Sequence, residues 1–183
     1  MYINALKTHL GVVNTKLRSA RGRPAAPVHC DLGCGCQESL GHILQVCPKL
    51  APERTRRHDR VLDLLQHQLS HKNWQVVREP NIRTQAGVRV PDNAAGDFLS
   101  RAHDLKRSYY DVGDIKAWVR EKTGHPPVFT TPTINWRGTM ATPSYMALKS
   151  MRLSKAELCL LVVRAMERSI VALWSHRDMR CYG

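Results

Sequence analysis

The feature that most constrains this chain is a group of four residues, Cys30, Cys34, His42 and Cys47, spaced Cys-x3-Cys-x7-His-x4-Cys. Zinc takes four ligands in a tetrahedron, and thiolates with an imidazole are its usual set. Gly33 and Gly35 suit a tight turn between the first two cysteines. A helical stretch from Ser39 to Cys47 brings His42 and Cys47 back toward that turn. Leu40, Ile43 and Leu44 supply a small apolar face. A module this small does not fold alone, so metal binding is expected to supply much of its stability. Two alternatives stay open. Cys36 is able to replace Cys34 as a ligand, and free thiols beside a core histidine give the same spacing.

Charge is the next constraint. The 183 residues include 28 Lys and Arg against 15 Asp and Glu, a formal net charge of +13. Such a chain repels itself unless it meets a polyanion, and nucleic acid is the first candidate. Arg21, Arg23, Arg57 and Arg107 belong to a basic set spread along the folded part of the chain, not gathered in a tail. The longest apolar run, Leu158 to Val163, is far short of the roughly 20 residues a membrane span needs. No signal peptide is evident, so a nuclear or cytosolic setting is expected, with the cysteines as metal ligands or free thiols.

Periodicity divides the chain further. Residues 1–20 read as one short helix, and 21–27 as a basic linker. A helix is expected from about Pro52, with His58, Val61, Leu62, Leu65 and Leu69 on its inner face. Trp74 to Glu79 and Val88 to Pro91 read as strands. A helix over Phe98 to Tyr110 places Phe98, Ala102, Leu105 and Tyr109 on one stripe. A further helix carries Ile115, Trp118 and Val119 and stops at Gly124. Extended segments flank Pro132, Arg137 and Gly138 form a turn, and a short helix follows Pro143. Ser154 and Glu157 form a capping box for the last helix. The expected class is α+β (α/β-like): segment 1–27, a zinc knuckle over 28–50, a core over 51–130 and a helical extension over 131–183.

Pro91-Asp92 ends the second strand, and Asp104 and Lys106 follow as Asp-x-Lys. Metal-dependent nucleases use paired carboxylates to hold magnesium at a phosphate, with a lysine assisting the attacking water. A turn aspartate and a solvated helix face fit the same residues. Arg57-His58-Asp59 is a second polar cluster. His58 suits either a core position or contact with a nucleic-acid backbone.

Taken in order, these residues resemble one family. The run Glu38-Ser-Leu-Gly-His-Ile-Leu-Gln-Val-Cys-Pro48 is followed by Arg57-His58-Asp59, Pro91-Asp92, Ala102-His103, Lys106 and Tyr109-Tyr110. Trp136-Arg137-Gly138 and Tyr2-Ile3-Asn4-Ala5-Leu6 extend the likeness over nearly the whole chain. It is similar to the C-terminal region of non-LTR retrotransposon polyproteins that insert into ribosomal RNA genes. The resemblance implies a zinc knuckle that grips DNA and RNA, followed by a restriction-like endonuclease that nicks the target to prime reverse transcription. It implies zinc at Cys30, Cys34, His42 and Cys47, and magnesium at a site including Asp92, assisted by Lys106. Arg57 and His58 match an arginine-histidine motif of that family. No small-molecule substrate and no membrane partner are expected.

The chain also departs from the pattern. The family places a second catalytic aspartate on a strand between its Pro-Asp and its lysine helix. Here Asp92 reaches Phe98 through Asn93-Ala-Ala-Gly-Asp97, with no room for that strand. Asp97 or Asp104 is left as the substitute carboxylate, in a reduced endonuclease-like core. A truncated or decayed copy that keeps binding better than cleavage is the alternative to a working nuclease.

Overall fold

The computed structural model describes residues 2–23, 25–78 and 99–181. Among them are seven α-helices: α1 (Tyr2–His9), α2 (Lys16–Ser19), α3 (Ala51–Ser70), α4 (Leu99–Tyr110), α5 (Gly113–Thr123), α6 (Thr142–Ser150) and α7 (Lys155–Cys181). A π-helical turn (His42–Val46) and a 3-10 turn (Pro48–Leu50) precede α3. The only β pairing among the described residues is two isolated antiparallel bridges, His29 with Gln37 and Ile134 with Met140.

This corrects the α+β (α/β-like) expectation and its restriction-endonuclease-like core, because the described chain is helical and forms no sheet. The alternation at Trp74 and Val76 misled. Residues 74–78 belong to no helix, and among the described residues no neighbouring strand shares their hydrogen bonds. Alternation marks a strand only where a second strand takes up the backbone donors and acceptors. Trp74 is held otherwise, its backbone N–H donating to the Leu69 carbonyl at 3.1 Å and its indole N–H to the Met151 carbonyl at 3.2 Å. The expected strand at Val88 to Pro91 lies outside the described residues, as do Phe98, Asp92 and Asp97.

The chain divides into two compact units. The first comprises Met1–Val61, Trp136–Thr139 and Leu161–Gly183. Its core is Val13, Cys30, Leu40, Ile43, Leu44, Cys47, Leu50, Ala172 and Leu173, with Trp136 packed against it. The single N-terminal helix expected over residues 1–20 is two. Gly11, at φ 67, breaks the backbone after α1, and Thr15 caps α2 by accepting from the Arg18 N–H. Leu6 and Leu10 are exposed, whereas Val13 is buried. The predicted turn at Arg137 and Gly138 is present. Gly138 has φ 83, and a Cβ there would lie 2.6 Å from Met166 Sδ and 3.1 Å from Val162 Cγ1. Both the backbone conformation and the close approach of α7 therefore demand glycine.

The second unit comprises Leu62–Asn135 and Met140–Leu160. Leu65 and Leu69 of α3, Ile115 and Val119 of α5, Leu148 of α6 and Leu158 of α7 are buried there. Each such side chain stabilises by about 1.5–3 kcal/mol relative to exposure. The capping box at Ser154 and Glu157 forms as read. Glu157 N–H donates to Ser154 Oγ at 3.2 Å, and Ser154 N–H donates to Glu157 Oε2 at 2.7 Å. Those donors, with Lys72, hold the Glu157 carboxyl down at about 2. Gly124 terminates α5 in the left-handed conformation, as expected.

The inner face of α4 departs from expectation. Leu105 is exposed and His103 is buried. Ser144 Oγ, on α6, lies 2.8 Å from His103 Nδ1, donates to the Thr131 carbonyl and accepts from the Thr133 N–H. With its hydroxyl proton committed to Thr131, Ser144 accepts from a His103 Nδ1–H. Burial lowers the His103 pKa below the ordinary histidine value. The unfolded chain then binds more protons than the folded one below the unfolded value of about 6.5. The stability that neutral His103 confers is complete above that pH and is lost as pH falls below it. The urea midpoint is therefore expected to drop between pH 7.5 and 5.5. A His103→Gln variant should be less stable at pH 7.5 and show a smaller drop; an equal drop in both proteins would rule out this histidine as the source.

Candidate metal centre

The metal cluster forms because a hairpin-like turn and a π-turn converge. Glu38 N–H donates to the Val28 carbonyl at 2.7 Å, and Cys30 N–H to the Cys36 carbonyl at 2.8 Å. Gly33 and Gly35, at φ 67 and 77, reverse the chain between these bonds. Ser39 Oγ accepts from the His42 N–H at 3.0 Å and starts the next turn. In an α-helix, residues five apart point about 140° away from each other. The π-turn solves this: the Cys47 N–H bonds the His42 carbonyl at 2.8 Å, stacking one ligand over the other. Arg54 donates to the Cys47 carbonyl at 2.6 Å and closes the loop onto α3.

The donor atoms of Cys30, Cys34, His42 and Cys47 all lie within 4.8 Å of one another. Cys34 Sγ and His42 Nε2 are 3.2 Å apart. Ligands at zinc bond lengths stand about 3.6–3.8 Å apart on a tetrahedron, so the set fits that ion. Cys36 is exposed and does not join the group. Its place in the turn serves Cys34 instead, whose thiol the Cys36 backbone N–H draws below the ordinary value. Burial pushes the Cys30 thiol up to about 12 and raises Cys47 as well. The two buried sulfurs, Cys30 and Cys47, resist ionisation in the absence of a cation, and a dication would supply the compensating charge. Burial also lowers His42, which favours the neutral imidazole a metal requires.

Two buried residues beside the cluster escaped the sequence reading. Glu38 and His176 lie within 4.8 Å of Cys30 by their ligating atoms. Glu38 opens the family-like run but carries no ligand spacing. His176 stands on the buried stripe of α7 with Ala165, Ser169, Ala172 and Leu173, where a polar side chain requires a partner.

Arg57 points inward, donating to Ser169 Oγ at 3.1 Å and Gln45 Oε1 at 3.3 Å, and burial lowers its pKa to about 10. His58 is exposed, which corrects its assignment to the inner face. Arg21, Arg23 and Arg107 are exposed. Asp104 and Lys106 share α4 but stand two residues apart, a spacing that does not bring side chains together on a helix. Asp92 and Asp97 lie outside the described residues, so no paired-carboxylate site is assembled among the described ones.

No protein-family model matches the chain. It is similar to the retrovirus-related Pol polyprotein of the type-1 retrotransposable element R2 of Nasonia vitripennis, with 27% identity over 91% of the chain and 18% of that protein. It is similar in the same degree, 27% over 92% of the chain and 18% of the relative, to the Pol polyprotein of the type-2 element R2DM of Drosophila melanogaster. An R2 Pol polyprotein of Popillia japonica is 29% identical over 85% of the chain and 36% of its own length. The chain thus spans under a fifth of the Nasonia and Drosophila relatives.

Substitution separates the two cysteines that spacing left open. Purified Cys36→Ser protein is expected to retain one zinc per chain by elemental analysis. Cys34→Ser and His42→Ala should bind at least about tenfold more weakly. Loss of zinc on replacing Cys36 but not Cys34 would exchange their roles.

Proposed function

From its homology to R2 retrotransposon Pol polyproteins, we propose that this chain is a segment of such a polyprotein that binds DNA and RNA through a zinc-organised unit. The observation that carries the proposal is the four-ligand cluster set in the core of a unit of a strongly basic chain. Zinc holds the knuckle closed. Exposed cations such as Arg21 and Arg23, just before it, neutralise phosphates. Ribosomal DNA and the element's own RNA are the partners, and the nucleus is the place of action.

Binding by phosphate neutralisation has a salt signature. Between 50 and 200 mM salt, affinity should fall roughly 40-fold for duplex DNA and roughly 20-fold for single-stranded RNA for every three phosphates contacted. Stripping zinc should weaken binding further. Affinity indifferent to both salt and zinc would contradict the proposal.

The finer reading is that the segment nicks target DNA to prime reverse transcription. Its support is the resemblance of Asp92 and Lys106 to that family's catalytic residues. Magnesium would sit at Asp92 with Asp97 or Asp104. Under this reading, a supercoiled plasmid carrying ribosomal DNA is nicked in magnesium by the chain and left intact by Asp92→Ala. Salt-sensitive binding without nicking would leave a binding segment alone.

A further inference from the structure

The second buried group joins Cys30 and Glu38 of the turn to His176, which lies 146 residues from Cys30. His176 Nε2, from α7, stands 3.7 Å from Cys30 Sγ and 3.7 Å from Glu38 Oε2. Cys30 is 5% exposed, His176 2% and Glu38 1%. Glu38 is itself fixed, since Oε1 accepts from the Lys16 N–H at 3.1 Å and Oε2 from the Asp31 N–H at 3.3 Å. The Leu17 N–H also donates to the Glu38 carbonyl at 3.1 Å.

A zinc ion with three thiolates and a neutral imidazole carries one net negative charge. A buried site of that charge gains from N–H donors aimed at its sulfurs. The Cys36 backbone N–H serves Cys34 in this way. At Cys30 the Leu32 backbone N–H does the same, and the imidazole of His176 is a further, side-chain donor within reach. The carboxylate of Glu38 beside the same nitrogen favours the tautomer with the proton on Nε2.

We propose that His176 is a positioning residue of the metal centre, donating from Nε2 to the metal-bound sulfur of Cys30 and held there by Glu38. Zinc occupancy and the docking of α7 are then one event within this unit, because the metal fixes the sulfur that His176 grips. His176 is not a ligand: the four donors already complete a tetrahedron, and its nitrogen faces a sulfur and a carboxylate. The inference rests on zinc binding at the cluster.

The test uses the full chain loaded with zinc or cobalt(II). Zinc affinity is measured by chelator competition, and the cobalt spectrum reports the ligand set. His176→Leu, which keeps bulk but removes the donor, is expected to bind about 10- to 100-fold more weakly. His176→Gln, whose amide nitrogen reaches a similar place, should recover most of that loss. Both variants should keep the thiolate-to-cobalt bands and tetrahedral d–d pattern of the unaltered chain. Equal zinc affinity in the unaltered chain and His176→Leu would overturn the inference while leaving the metal centre intact. A changed cobalt ligand pattern in His176→Leu would overturn it by making His176 a ligand. Failure of the unaltered chain to bind zinc would instead remove the metal reading itself. Should His176→Leu fail to fold, Glu38→Gln carries the same test, with weaker binding and an unchanged cobalt pattern expected and unchanged affinity contradicting.

Discussion

The first unit is built around four donors brought close enough to share one metal ion. Cys30 and Cys34 come from a glycine-reversed turn, and His42 and Cys47 from a π-turn. Neither piece buries enough apolar surface to hold itself. Cys30 and Cys47 are part of the apolar core with Leu44, Leu50, Ala172 and Leu173, so the metal ligands and the packing are the same residues.

From that centre, polar ties run outward to neighbouring elements. Arg54 fixes the start of α3 to the last ligand's carbonyl. Arg57, one turn on, grips Gln45 and Ser169. Glu38 collects the backbone donors of Lys16 and Asp31. Such buried polar contacts cost more when half-made than apolar ones, so they favour one arrangement over near alternatives. The unit is thus organised as a knuckle held among the N-terminal segment, α3 and α7, rather than as a knuckle alone.

What was legible in the sequence was local. The four ligands fall within eighteen residues, and their chemistry restricts their use. The Ser154–Glu157 box and the Gly124 stop each depend on neighbours three or four residues away. What failed was non-local. Whether residues 74–78 form a strand is decided by a partner strand, not by alternation within them. His58 neighbours the apolar stripe in the sequence, yet it is exposed. The face that actually turns inward continues from Leu65 and Val61 back to Arg57 and Arg54, with charged residues satisfied by acceptors the sequence does not reveal. His176 lies 146 residues from Cys30, so no spacing rule reaches it. The resemblance identified the relatives but also carried over a fold that the described residues do not form.

The most direct test of the central claim is X-ray absorption at the zinc edge on the metal-loaded chain. One zinc per chain is expected, with three sulfurs at about 2.3 Å and one nitrogen at about 2.0–2.1 Å. A shell of nitrogen and oxygen alone, or no tightly bound zinc, would contradict a metal-centred unit and with it the account of how this chain is held together.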